Sequence, residues 1–85
     1  MKILFVAATD PEIALSRAKI AHHGFEVLIT GVGMVATAYQ LGKALQNQSF
    51  DLIVNTGIAG SLSPELRLGT VVEVVEDRLI ELGAE

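Results

Sequence analysis

Cysteine and tryptophan are absent from this 85-residue chain, and it carries only two prolines, three Phe and one Tyr. Without cysteine there is no disulfide framework and no thiolate zinc site. The two histidines, His22 and His23, are adjacent and have no acidic neighbours in sequence. They suit a helix end, where imidazole meets free carbonyls, and no metal centre is expected of them. Cations are scarce: six Lys and Arg stand against ten Asp and Glu, for a net charge of −4. That balance excludes a binder of nucleic-acid phosphates, and the few aromatics leave little for bases to stack on. Long apolar runs are missing too. Ile3 to Ala8, the longest near the N-terminus, is far too short to span a bilayer. It also lacks the h-region and cleavage site of a signal peptide. No membrane association is expected, and a cytoplasmic location is the default, which the lack of cysteine does not contradict.

What the chain has is apolar content, with 51% hydrophobic and 19% charged residues and a mean hydropathy of +0.50. Such a chain folds rather than staying disordered. Its length permits a single domain. A domain of this size buries only about 60–65% of its unfolded surface, and the usual supplements of small folds, disulfides or a metal, are absent. The composition suits part of a larger domain.

Strand and helix patterns alternate along the chain. Lys2 to Ala8 reads as a strand covered on both faces. Asp10 then suits a helix N-cap, Pro11 the first helical position and Glu12 the positive end of the dipole. A helix is predicted to run to Ala21, burying Ile13, Ala14, Ala18 and Ala21, with Gly24 as its left-handed C-terminal stop. Phe25 to Thr30 is the second strand. Met34 to Gln46 is the second helix, with Val35, Ala38, Tyr39, Gly42 and Leu45 on one face. Gly42 costs about 1 kcal/mol there relative to Ala, which predicts a close helix–sheet contact. Asp51 to Thr56 is the third strand. Ser63-Pro64 opens a one-turn helix, and Gly69 leads into a fourth strand, Thr70 to Val75. This alternation predicts an α/β fold with right-handed crossovers, three-layer α/β/α, around a mostly parallel or mixed central sheet. Ligands bind such sheets beyond the carboxyl ends of the strands. The loops there are Ala8 to Glu12, Thr30 to Met34 and Thr56 to Ser61, and all three mix small and polar residues.

Gly31-Val32-Gly33-Met34-Val35-Ala36 fits the Gly-x-Gly-x-x-Gly/Ala dinucleotide fingerprint between a strand and a helix. A tight packing turn accounts for the same residues. The ribose-binding acid of a dinucleotide site lies about 20 residues on. Asp51 has that spacing but sits at the start of its strand, whose far end offers Asn55 and Thr56. Glu12 is either a general base at the crevice or a first-turn glutamate facing the helix dipole. Gly57-Ile58-Ala59-Gly60 lacks proton-transfer groups; it is either an ordinary loop or backbone open to close approach by a flat ligand.

Taken together, the segments Ala7-Ala8-Thr9-Asp10-Pro11-Glu12, Thr30 to Ala38, Val54 to Ser61 and Leu68 to Val72 resemble the purine nucleoside phosphorylase/nucleosidase superfamily. Within it, Gly31 to Ala38 and Glu81-Leu82-Gly83-Ala84-Glu85 look most like the futalosine hydrolase family of menaquinone biosynthesis. The methylthioadenosine/adenosylhomocysteine nucleosidases are its nearest competitor. The resemblance implies a purine nucleoside as substrate and no cofactor. It implies that Glu12 positions and activates water, that Val32 and Gly33 line the ribose side, and that Gly57, Ile58, Ala59 and Gly60 pass close to the base and the reaction centre. Members that use phosphate place arginines where this chain has Glu12-Ile13 and Asn55 to Ile58. A phosphate held without a cation would be costly to desolvate, so hydrolysis is the expected reaction.

The resemblance also implies what residues 1–85 do not hold: a ribose-binding glutamate and an aspartic acid that protonates the departing purine. The chain is therefore expected to be the truncated N-terminal portion of one nucleosidase domain, without useful activity alone. It is expected to self-associate through an open sheet edge or to be stabilised by the missing portion, with a homo-oligomer for the intact protein. A different class, a small nucleotide-binding module built on the Gly31 to Gly33 turn, fits the same motif.

Overall fold

A computed structural model describes residues 1–78. Three strands, β1 (Ile3–Ala7), β2 (Glu26–Ile29) and β3 (Leu52–Asn55), form one sheet in the order β2-β1-β3. Both pairings are parallel: Phe5 lies opposite Val27 on one side and opposite Val54 on the other. Parallel neighbours need crossover connections. The first comprises α1 (Asp10–Ile13), a 3-10 turn (Ala14–Ser16) and α2 (Arg17–His22), and the second is α3 (Met34–Asn47). They run in opposite directions along the sheet, so right-handed crossovers put them on opposite faces. The chain is an α/β protein of the expected layered class.

Burial follows the strand alternation. On one face, Ala7 packs with Ile13 and Ile20, flanked by Phe5, Phe25, Val27 and Ile29. The Phe5 and Phe25 rings lie 6.1 Å apart. On the other face Leu4 and Val6 are buried. The central position of β1 explains its continuous apolar run, which contrasts with the half-exposed Leu52 and Ile53 of the edge strand β3.

The first crossover corrects the predicted continuous helix. Thr9, not Asp10, is the N-cap, and Asp10 instead pairs with Arg17 at 2.8 Å. The 3-10 turn breaks the helix after Ile13, whose ψ is −1°. Ile13 and Ile20 are the buried pair, whereas Ala14, Ala18 and Ala21 are exposed. Two isoleucines remove far more apolar area from water than three alanines. Gly24 ends α2 as expected, with φ +76°. The Phe25 N–H donates to the Ile20 carbonyl at 3.1 Å and the Gly24 N–H to the Ala21 carbonyl at 2.9 Å. This is a Schellman motif, closed by apolar contact between residues on either side of the stop.

α3 turns the opposite way to the prediction. Ala36, Thr37, Gln40, Leu41 and Ala44 form its half-buried face, while Val35 (81% exposed), Tyr39 and Leu45 point outward. The phase is set at its start, where Thr37 Oγ1 donates to the Gly33 carbonyl at 2.8 Å and lies 3.2 Å from the buried Thr30 hydroxyl. Gly42 has open space where a Cβ would stand, so the close helix–sheet contact expected there is not present.

Beyond β3 the remaining expectations fail. Ser63 to Leu66 is a turn, not a helix, although Ser63 Oγ accepts from the Glu65 N–H at 3.3 Å. Thr70 to Val75 forms no strand, and Val71, Val74 and Val75 are exposed. A strand is stabilised by its neighbours, and among the described residues none pairs with this segment. Glu81 to Glu85 lies outside the described residues. No described helix is long and apolar enough to cross a membrane.

The two helix faces make different demands on stability. Ile20→Ala is expected to cost about 2–5 kcal/mol, the usual range for a buried isoleucine. Val35→Ser, on the outward face of α3, is expected to stay within about 0.5 kcal/mol. Urea unfolding followed by circular dichroism checks both; equal losses would place Val35 in the core.

Candidate active site

In the order β2-β1-β3 the chain leaves β1 toward β2, away from β3, so the carboxyl ends of β1 and β3 are neighbours and the order changes direction between them. That is the topological switch point at which open α/β sheets bind ligands. The loops after these two strands meet there. Glu12, in the first turn of α1, extends its carboxylate across to the β3 loop, where Oε1 accepts the Ile58 N–H at 3.1 Å. Oε2 accepts the Thr9 hydroxyl at 2.7 Å. Gly57 permits this approach: a Cβ there would stand 2.9 Å from Glu12 Oε1.

These donors hold the Glu12 carboxyl below the ordinary glutamate value. The Ile58 N–H contributes most and the Thr9 hydroxyl next; partial desolvation opposes them, and the Thr9 N–H adds a smaller lowering. Hydrogen bonds to the charged form favour that form. Glu12 is thus an ionised hydrogen-bond acceptor at neutral pH, suited to orienting a water and unsuited to donating a proton. It borders a cleft of about 190 Å³ with Phe5, Ile13, Ser16, Ile20, Thr56 and Gly57. Ligand pockets usually run to about 300–1,000 Å³, so this cleft has room for a water and part of a ligand, not a whole nucleoside. It contains no Lys or Arg.

The candidate residues named from sequence fall into three groups. Glu12, Gly57 and Ile58 come together at the switch point. Val32 and Gly33 sit on the neighbouring loop after β2, which is tied to the first loop by the Thr30 N–H to Ala7 carbonyl and Gly31 N–H to Ala8 carbonyl bonds, each 3.0 Å. Val32 is exposed, and Gly31 (φ +85°) and Gly33 (φ +101°) adopt backbone that favours glycine. Neither Val32 nor Gly33 borders the Glu12 cleft. Ala59 and Gly60 border a separate open groove of about 640 Å³ with Ser61, Ser63 and Arg67. Asp51 lies at the opposite end of the sheet, where its Oδ2 accepts the Lys2 N–H at 2.6 Å. It anchors β3 to β1 and is out of reach of any ribose at the carboxyl ends. Among the described residues, no group of three or more His, Asp or Glu is placed to hold a metal.

Thr9 was not among the candidates. Its signal is the Thr9-x-x-Glu12 spacing of a capping box, which brings the N-cap and third helical residues together; here the two side chains bond each other instead of the backbone N–H groups.

Comparison with known proteins finds similarity to a nucleosidase, in keeping with the purine nucleoside phosphorylase superfamily. The chain is 33% identical over 90 aligned positions to the 5′-methylthioadenosine/S-adenosylhomocysteine nucleosidase of Tolumonas auensis. The match takes in 85% of this chain and 39% of that protein, so the chain spans about two fifths of the relative's length. The similarity does not single out futalosine hydrolase. No protein-family model matches the chain, and no solved structure matches it significantly.

The lowered Glu12 carboxyl makes a pH prediction with a definite sign. Its bonds contribute stability that is complete above the unfolded-state value, about 4.3, and is lost as pH falls through the lower folded-state value. Carbon-13 NMR titration of the Glu12 carboxyl is expected to place its midpoint below that of an unstructured glutamate. Glu12→Gln is expected to remove this contribution above about pH 4.3 and so flatten the fall in stability toward acid pH, as read by urea unfolding at several pH values.

Proposed function

We propose that this chain is the water-side, N-terminal portion of a purine nucleosidase that hydrolyses an N-glycosidic bond. The observation that carries the reading is the Glu12 carboxylate, held ionised by Thr9 and Ile58 where the carboxyl ends of β1 and β3 meet. A 33% identical nucleosidase supports it at the level of reaction class. In the proposed reaction, water bound to Glu12 attacks the anomeric carbon and gives up a proton to the carboxylate. The bond from that carbon to the purine nitrogen breaks, and its electron pair leaves with the base. The absence of Lys and Arg from the cleft favours water over inorganic phosphate as the nucleophile. The ribose-binding glutamate and the acid that protonates the purine are assigned to sequence outside residues 1–85.

Two substrates fit this reading. The Gly31 to Ala38 stretch points to futalosine, with release of hypoxanthine. The Tolumonas relative favours methylthioadenosine or adenosylhomocysteine to the same degree.

Chromatographic assay of the 85-residue chain is expected to show no release of free purine from futalosine or methylthioadenosine at an enzymatic rate; ordinary turnover by the chain alone would overturn the reading. In a longer reading frame that carries these residues, Glu12→Gln is expected to lower kcat by about 10²–10⁴-fold, the usual worth of a general base. The relative rates on the two nucleosides decide the substrate.

The outer edge of β3 has no strand partner among the described residues, and the apolar side chains of Leu62, Leu68, Val71 and Val75 are exposed. An edge of this kind pairs with another chain, and self-association of the isolated chain is part of the proposal. Sedimentation velocity is expected to show species heavier than a monomer that grow with concentration, and a monomer throughout would count against it.

A further inference from the structure

Thr9 occupies the N-cap of α1 with the extended backbone of a capping residue (φ −137°, ψ 154°), yet its side chain caps nothing. An N-cap threonine ordinarily accepts a hydrogen bond from a free N–H of the first turn, and losing that bond costs stability. Here the hydroxyl proton goes to Glu12 Oε2 at 2.7 Å. A local stability device left unused beside a candidate site is the kind of departure that function explains.

The second observation is geometric. Glu12 is gripped from two loops: Thr9, before it in the chain, takes one carboxylate oxygen, and the Ile58 N–H, across the switch point, takes the other. An ionised carboxylate offers about four lone-pair sites; the Thr9 hydroxyl, the Ile58 N–H and the lesser Thr9 N–H leave one for a water. We propose that Thr9 is a positioning residue for Glu12: its hydroxyl, opposed by the Ile58 N–H, fixes the carboxylate in one orientation with an acceptor site left for a water. The hydroxyl is the part that matters, and serine can replace threonine there while valine cannot.

The groups that face Glu12 leave little else to fix or charge it. The cleft residues of β1, α1, the 3-10 turn and α2 are Phe5, Ile13, Ser16 and Ile20, and the β3 side brings Thr56 and Gly57. None of these is charged. Asp10, the nearest acidic residue in sequence, is paired with Arg17 on the exposed surface. Thr9 and the Ile58 N–H also lead the causes that lower the Glu12 carboxyl.

The inference rests on reading Glu12 as the water-activating carboxylate, but its test reads the carboxylate itself and needs no turnover. NMR of the 85-residue chain gives the Glu12 carboxyl midpoint and its side-chain three-bond couplings. In the wild type the couplings are expected to report a single rotamer; values averaged over several rotamers would overturn the proposal without any variant. Thr9→Val is expected to raise the midpoint and average the couplings, and Thr9→Ser to restore both. An unchanged midpoint in Thr9→Val, or a raised one in Thr9→Ser, would also overturn it. Should Thr9→Val not fold, the wild-type couplings and Thr9→Ser still decide. A longer reading frame with no nucleosidase activity, alongside these NMR results, would sink the functional reading and leave the positioning role standing.

Discussion

β1 is hydrogen-bonded in parallel along both of its edges, and the rest of the molecule depends on that pairing. A parallel neighbour on each side forces a crossover between every pair of strands. It also puts all three carboxyl ends at one edge of the sheet. The carboxylate that bridges to the β3 loop is possible because the loops after β1 and β3 leave adjacent strands. Burial is arranged around the same strand: Ala7 joins Ile13 and Ile20 on one face, and Leu4 and Val6 are covered on the other. Unpairing β1 from β3 would separate Glu12 from Ile58.

Away from β1 the structure loosens in a graded way. The first crossover is tightly held, with two buried isoleucines and a Schellman stop. The second crossover contributes no fully buried residue: α3 lays Ala36, Gln40, Leu41 and Ala44 inward and carries Val35, Tyr39 and Leu45 outside. Residues 57–78 add turns but no strand or helix. The switch point lies between the well-packed β1 side, which supplies Glu12, and the looser β3 side, which supplies Gly57 and Ile58. A carboxylate held by backbone from the looser side ties that loop to the core and is itself oriented by it.

The candidate site was legible in sequence to the extent that its chemistry is local. Glu12 stands out as a carboxylate in a helix first turn beyond an apolar strand, and Gly57 as a small residue beyond another. Thr9 is masked in sequence by Asp10, which lies next to Pro11 and satisfies the same capping preferences. The outward stripe of α3 was misjudged for a related reason. Periodicity shows that a helix has an apolar face but not which face meets the sheet when small residues such as Ala36 and Ala44 offer a closer approach. The fourth strand was expected from β-branched composition alone, and composition supplies no partner.

Sequence by itself determined the α/β class, the places where strands give way to turns, and the left-handed helix stop at Gly24. These rest on short-range physics: strand burial, helix stops, and the φ freedom of Gly24. Tertiary structure decided the strand order, the rotation of α3, and the partners of the Glu12 carboxylate. Ile58 lies 46 residues from Glu12 in the chain, and no local preference joins them. Only parallel pairing of β1 with β3 brings that N–H within hydrogen-bond distance of the carboxylate.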